Sequence, residues 1–187
     1  EAAFRREHPF DSADTVASGL RCITYGVPRL GGLTAGYNSY YQIVQSAEAV
    51  AINNEMYHET RVIPLDGRPH PSKSINGWLG DSRGRYEGNT LVVDVTNFND
   101  LTWFDRAGNF HSTELKVEER FSRLDKDHLN YEATITDPKV FTRPWKIKMP
   151  LYRRVEPNAQ ILDFLCYTFE DRTKGMTVPL FRESPLK

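Results

Sequence analysis

Residues 114–136 read ELKVEERFSRLDKDHLNYEATIT. Leu115, Val117 and Phe121 alternate with Lys116, Glu118, Arg120 and Ser122, the period-two pattern of a strand with one buried face. Asp125-Lys126-Asp127 is a turn by composition. His128–Thr136 then returns, with Leu129, Tyr131, Ala133 and Ile135 inward and Glu132 and Thr134 outward. Two alternating runs joined by a tight turn are an antiparallel hairpin.

The same pattern extends outward from this hairpin. Past the connector Asp137–Pro144, Trp145–Leu151 alternates Trp145, Ile147, Met149 and Leu151 against Lys146 and Lys148. Upstream, Tyr40–Gln45, Val50–Met56 and Thr60–Leu65 are β-prone, with Asn53 and Glu55 on the polar side of the second run. Gly84–Glu87 and Thr90–Val95 flank Gly88-Asn89, a two-residue hairpin signal. Ile161–Phe169 is apolar on both faces. The expectation is about nine antiparallel strands, with less than about a fifth of the chain helical. The fold class is mainly β: a meander forming a barrel-like (calycin- or lipocalin-like) or sandwich domain, with long loops at one end. The only helical pattern is a weak one at Asp11–Leu20.

The chain has 187 residues, which fits one domain. It divides into an N-terminal arm and loop (1–37), a β core (38–170) and a C-terminal tail (171–187). Apolar residues make up 39% and charged residues 26%, enough for a folded core. The net charge of −1 offers no basic excess for phosphate, so nucleic acid is not an expected partner. No run of about 18 apolar residues is present, so no membrane span is expected. The chain begins at Glu1, which fits removal of a signal peptide. The two cysteines, Cys22 and Cys166, bracket the core and form no CxxC pair. Two buried thiols and one disulfide both fit. The disulfide is the expectation; it would close a loop of more than about 100 residues, worth about 4–5 kcal/mol in chain entropy, and place the protein in an oxidising compartment, periplasmic or secreted.

Unusual chemistry concentrates in Ile63–Ser112, IPLDGRPHPSKSINGWLGDSRGRYEGNTLVVDVTNFNDLTWFDRAGNFHS. His70 stands between Pro69 and Pro71, so a stiff loop presents its imidazole. It reads either as an acid–base group or metal ligand, or as a loop histidine bonded to backbone. His58 and His111 are the other candidate ligands. No pair has the spacing of a known zinc motif, so neither a metal nor another cofactor is expected. Asp81, Arg83, Arg85, Asp100, Asp105 and Arg106 alternate in sign within the central loops. They either brace the loops through two-point arginine–carboxylate pairs or bind a ligand. Trp78, Tyr86, Trp103, Phe104 and Phe110 add aromatic surface suited to sugars, to aryl compounds or to plugging one end of a barrel. Glu119 is the exception in the hairpin: by parity it points to the apolar face, where a carboxylate is costly unless paired or lining a cavity. It reads as a buried ion pair, with Arg123 the arginine on the same face, or as a general acid or base.

The segments DGRPHP (Asp66–Pro71), WLGDSRGRYEGNTLVVD (Trp78–Asp94), TWFDRAG (Thr102–Gly108) and DPKVFTRPW (Asp137–Trp145) together resemble a family of exported bacterial proteins with no assigned activity. The resemblance covers about residues 20–170 and departs mildly at Tyr86 and Asn89. It implies an extracytoplasmic location and no particular reaction.

There is no GxSxG, P-loop or GxGxxG, which argues against a nucleophile-elbow hydrolase, an NTPase and a Rossmann enzyme. The expected function is an exported β-barrel protein binding a small organic ligand, with lyase or hydrolase activity a further option. His70, His111 and Glu119 are the catalytic candidates. Arg68, Asp81, Arg83, Arg85, Trp103, Asp105 and Arg106 are the ligand-binding candidates. The rival is a non-catalytic structural or assembly protein that forms homo-oligomers. The loops 66–83 and 97–112 are expected to converge at one end of the domain, since they precede and follow two adjacent antiparallel strands.

Overall fold

The computed structural model describes residues 22–24, 26–28, 40–105 and 109–162. Eight strands run through them: β1 (Tyr41–Gln45), β2 (Ala49–Asn54), β3 (Thr60–Pro64), β4 (Asp81–Glu87), β5 (Thr90–Thr96), β6 (Lys116–Arg123), β7 (His128–Thr136) and β8 (Trp145–Tyr152). A single 3₁₀ turn, Met56–His58, lies between β2 and β3. Among the described residues no helix is long and apolar enough to cross a membrane. The expected Asp11–Leu20 helix lies outside the described residues, as does all of the Ile161–Phe169 strand except Ile161 and Leu162.

The strands form two antiparallel meanders, β1-β2-β3 and β4-β5-β6-β7-β8. The β6–β7 hairpin has the expected faces, with Val117, Glu119 and Phe121 paired to Ile135, Ala133 and Tyr131 on the inner side. Its turn is held by Asp125 Oδ1, which accepts from the Asp127 amide at 2.8 Å. The Gly88-Asn89 hairpin joins Glu87 to Thr90. A left-handed φ of 59° at Gly88 but not at Asn89 fits a type II′ turn, whose first central residue is best as glycine.

The inner faces of the two sheets pack on each other. Val50, Ile52 and Ile63 from the smaller sheet join Leu91, Val93, Val95, Val117, Tyr131, Ala133 and Ile135 from the larger in one core. At Gly84 the approach is so close that a Cβ would lie 2.8 Å from both Ile63 and Leu65 side chains. The meander does not close into a barrel among the described residues, because β3 and β4 touch without sharing a hydrogen-bond ladder. Local chemistry gives a reason. The Leu65 amide donates to Glu48 in the β2 direction, so by alternation the position of Pro64, which has no N–H, falls on the open edge of β3.

The outer face of the larger sheet is an ionic lattice. Arg85 bonds Glu87 at 3.0 Å and also Asp94, and Arg120 reaches Glu87 at 2.7 Å. Val92 sits in register between Arg85 and Arg120 and is fully buried, which fits arginine stems lying over it. One outward assignment and one strand boundary need correction. Glu55, expected on the polar side, is buried, because β2 ends at Asn54 and strand parity no longer applies beyond it. Strand β4 begins at Asp81 rather than Gly84, so Asp81 and Arg83 belong to a strand.

Candidate functional site

The loops on either side of the β4–β5 hairpin do converge. Asp81 pairs with Thr96 in register, so the loop before β4 and the loop after β5 leave the sheet at the same end. Asn97 fastens them together. Its Nδ2 donates to the carbonyls of Pro71, Ser72 and Ile75 at 3.2, 3.1 and 3.0 Å. Its φ of 59° is one that asparagine tolerates better than most residues. A Gly77–Phe98 bridge and a Lys73–Glu114 ion pair of 3.0 Å add to the junction. Beneath it, buried Asp137 accepts from the Ser112 amide at 2.6 Å and hydroxyl at 2.7 Å.

Within this end, His70, Asp81 and Arg83 are brought together. Asp81 Oδ2 meets His70 Nδ1 at 2.6 Å and accepts from Arg83 Nε at 2.9 Å, while Arg83 Nη2 reaches Oδ1 at 2.9 Å. With Nδ1–H directed at a carboxylate, the neutral ring carries its lone pair on Nε2. Asp81, Arg83 and Arg68 line an open groove of about 370 Å³ between β3 and the start of β4. Arg68 itself is exposed and pairs with Asp66 at 2.6 Å.

Other candidates stand apart from that cluster. His111 is buried against Phe98 and Phe104, at 5.9 and 6.4 Å between ring centroids. Its Nδ1 lies 3.2 Å from the Ser112 carbonyl, which can only accept, so Nε2 of the neutral ring accepts from Thr102 Oγ1 at 2.7 Å. Burial lowers its pKa below 6.5, against the opposing pull of the Ser112 carbonyl and of Asp137 and Asp100. That is a satisfied core histidine. Asp105 spends both oxygens on Asn109, at 3.2 and 2.7 Å, within its own loop. Trp103 is half-buried and bridges to Phe110. Arg85 lies in the outer lattice rather than with the loops. His58 belongs to the 3₁₀ turn after β2. Arg106 lies outside the described residues. Among the described residues no three of His, Cys, Asp and Glu are grouped to hold a metal ion. Cys22 is not a free thiol, and Cys166, its expected partner, lies outside the described residues.

Glu119 opens a second site. It is 3% exposed, its Oε2 lies 2.7 Å from Arg61 Nη2, and its Oε1 accepts from the Tyr131 hydroxyl at 2.8 Å. The partner is therefore Arg61 on β3, in the opposite sheet. Arg123 is exposed and donates to the Lys126 carbonyl instead. The contact between Arg61 and Oε2 is close but poorly directed, and Oε2 makes no hydrogen bond. Tyr131 is held protonated well above its ordinary pKa of 10.0 by burial, by the Glu119 charge and by their hydrogen bond.

This trio lines a cavity of about 60 Å³ between the sheets, together with Tyr41, Asn54 and Glu59. The apolar walls include Val27, Ile43, Ile52, Phe121 and Leu151. Arg61 borders both the cavity and the outer groove. Sequence patterning assigned Tyr131 inward but missed Arg61, although Arg61 shares the parity of inward Ile63 and so carries the same signal that marked Glu119. Comparison with family models, curated proteins and solved structures finds no match.

Proposed function

We propose that this is an exported β-protein that binds a small organic molecule in the cavity between its two sheets, with Arg61, Glu119 and Tyr131 as its anchors. The observation that carries the reading is a mostly apolar pocket with a few convergent, buried polar groups, the usual build of a ligand site. The two consecutive antiparallel meanders are in keeping with a calycin-like topology. Any lyase or hydrolase step is assigned to His70, whose partner Asp81 lines the adjoining groove and holds the ring so that Nε2 takes the proton. The test is saturable binding of a small apolar probe of a few heavy atoms, n-butanol, followed through backbone amide shifts. One-to-one binding that Ile52→Phe abolishes without loss of fold is the expected result; binding that is absent, or unaffected by filling the cavity, would overturn the reading.

The export half of the proposal rests on the motif resemblance and on the cysteine pair. Denatured, non-reduced protein from its native compartment is expected to show no titratable thiol; two free thiols would remove that support. A second reading, a structural protein that self-associates, is favoured by the outward row Val44–Ala51–Val62 across the smaller sheet. Val44 and Val62 are 56% and 57% exposed, and β1 carries no charge to deter edge pairing. Sedimentation showing a dimer that Val44→Lys dissociates would support it; a monomer at high concentration would not.

A further inference from the structure

Resting on the cavity reading, we infer that the preferred ligand is a small neutral molecule that accepts a hydrogen bond and donates none. Its polar group is a carbonyl, as in a ketone, ester or tertiary amide, set between short apolar arms. The donor that selects it is Arg61. This residue is 8% exposed and lines both the cavity and the outer groove. Its one polar contact among the described residues is Nη2 with Glu119 Oε2, at 2.7 Å. A guanidinium carries five N–H donors in a rigid fork, so most of them stay unused in a largely dry setting. Buried donors in native proteins are nearly always paired, and a ligand oxygen of the right size supplies the missing acceptor.

The carboxylate beside Arg61 argues against the charged alternatives. Glu119 has both oxygens engaged, Oε1 by the Tyr131 hydroxyl at 2.8 Å and Oε2 by Arg61. It balances the guanidinium charge and has little left for an incoming donor. An ammonium ion has no acceptor to give Arg61 and would add a second cation next to it. A carboxylate would accept, but it would crowd a second anion against Glu119 at the same guanidinium and give up its own water. An alcohol accepts too, yet it brings an O–H that Glu119 does not take up. A carbonyl oxygen receives two N–H bonds on its two lone pairs and brings no charge. Its carbon arms meet Val27, Ile43, Ile52, Phe121 and Leu151 on the apolar walls. The volume of about 60 Å³ limits the buried portion to a few heavy atoms.

The test titrates the full-length protein with four molecules of like shape, 2-butanone, 2-butanol, sec-butylamine and isobutyrate, at one pH and ionic strength. Backbone amides and the Arg61 side-chain Nε–Hε signal are followed by NMR. Butanone is expected to move the amides of Ile52, Phe121 and Tyr131 together with the Arg61 signal. It should bind at least about threefold more tightly than 2-butanol and about tenfold more tightly than either ion. The double variant Arg61→Met with Glu119→Leu keeps the apolar walls and loses the donors, and should bring butanone and 2-butanol within about twofold of each other. Where that variant does not fold, the Arg61 signal of the parent protein decides. Cavity shifts with butanone while the Arg61 signal stays still, or tighter binding of any of the other three, overturn the carbonyl class and leave the cavity reading in place. A butanone preference that survives in the double variant does the same, because it would not come from Arg61. No cavity shift with any of the four overturns the cavity reading itself.

Discussion

Two ionic clusters of similar composition lie on either side of β3, and they are built in opposite ways. The Arg61–Glu119–Tyr131 trio draws on β3, β6 and β7, hence on both sheets. Its charged side chains are 9% and 4% exposed. The His70–Asp81–Arg83 cluster comes from one continuous stretch of chain and keeps about a fifth to a quarter of each side chain in water. Water reaches the second cluster and screens it more than the first. The first cluster is dry, so each charge there depends on its partner. Burial, rather than charge content, separates the group that ties the domain together from the group that decorates its end.

The sharpest way to break this contrast is Arg61→Met. Glu119 would be left in the core without its cation, and stability should fall by about 3–5 kcal/mol, read from the shift of a urea unfolding midpoint. The double variant Arg61→Met with Glu119→Leu should recover most of that loss, since replacing both charges by apolar groups of similar size is often neutral. Recovery separates a mutual dependence from a site that merely dislikes change. If Arg61→Met left the midpoint where it was, the trio would not be holding the sheets.

A smaller effect is expected at Asn97, which belongs to neither cluster but places the second. Asn97→Ala strands three loop carbonyls that now share one amide group. The loss should be about 1–3 kcal/mol, with faster hydrogen exchange at Gly77, whose amide donates to Asn97, and at Ile75. Unchanged exchange there would mean that the loops hold themselves together without this residue.

These residues also mark where sequence patterning stops. The β6–β7 hairpin was legible because side-chain parity is a local property, and parity alone put Glu119 inside. Its partner was not legible. Arg61 and Glu119 face one another only because two separate meanders pack inner face to inner face, and hydrophobic periodicity does not encode which faces meet. Glu55 was misassigned since parity was carried past the end of β2. Asn97 looked like an ordinary loop residue, as its work is done by a positive φ and an amide aimed at backbone. His111 was an attractive candidate until its two ring nitrogens were both accounted for. The barrel expectation assumed an unbroken ladder and gave no weight to Pro64 at the edge of β3.

The mildest and most discriminating prediction concerns pH, where the buried groups should respond and the solvated ones should not. His111 has a lowered pKa in the folded state. As pH falls below 6.5, the unfolded chain takes up a proton that the folded one resists, so the stability present above 6.5 drains away on the way down. Tyr131 has the opposite sign. Its folded pKa is raised, so its contribution is complete below 10.0 and is lost as pH climbs above that value. Unfolding midpoints should therefore slope downward on both sides of a neutral plateau. His111→Gln should flatten the acid limb between about pH 5 and 6.5, provided Thr102 and Ser112 accept the amide in place of the ring. Tyr131→Phe should flatten the alkaline limb, although it also removes a donor from Glu119. Arg68→Ala serves as the solvated control: its Asp66 pair is exposed, and the variant should show the parent curve across the pH ranges in which His111 and Tyr131 titrate. An acid limb that persisted unchanged in His111→Gln would place the titrating group elsewhere, and an altered curve in Arg68→Ala would show that exposed pairs of the loop cluster carry more of the fold than their solvation permits.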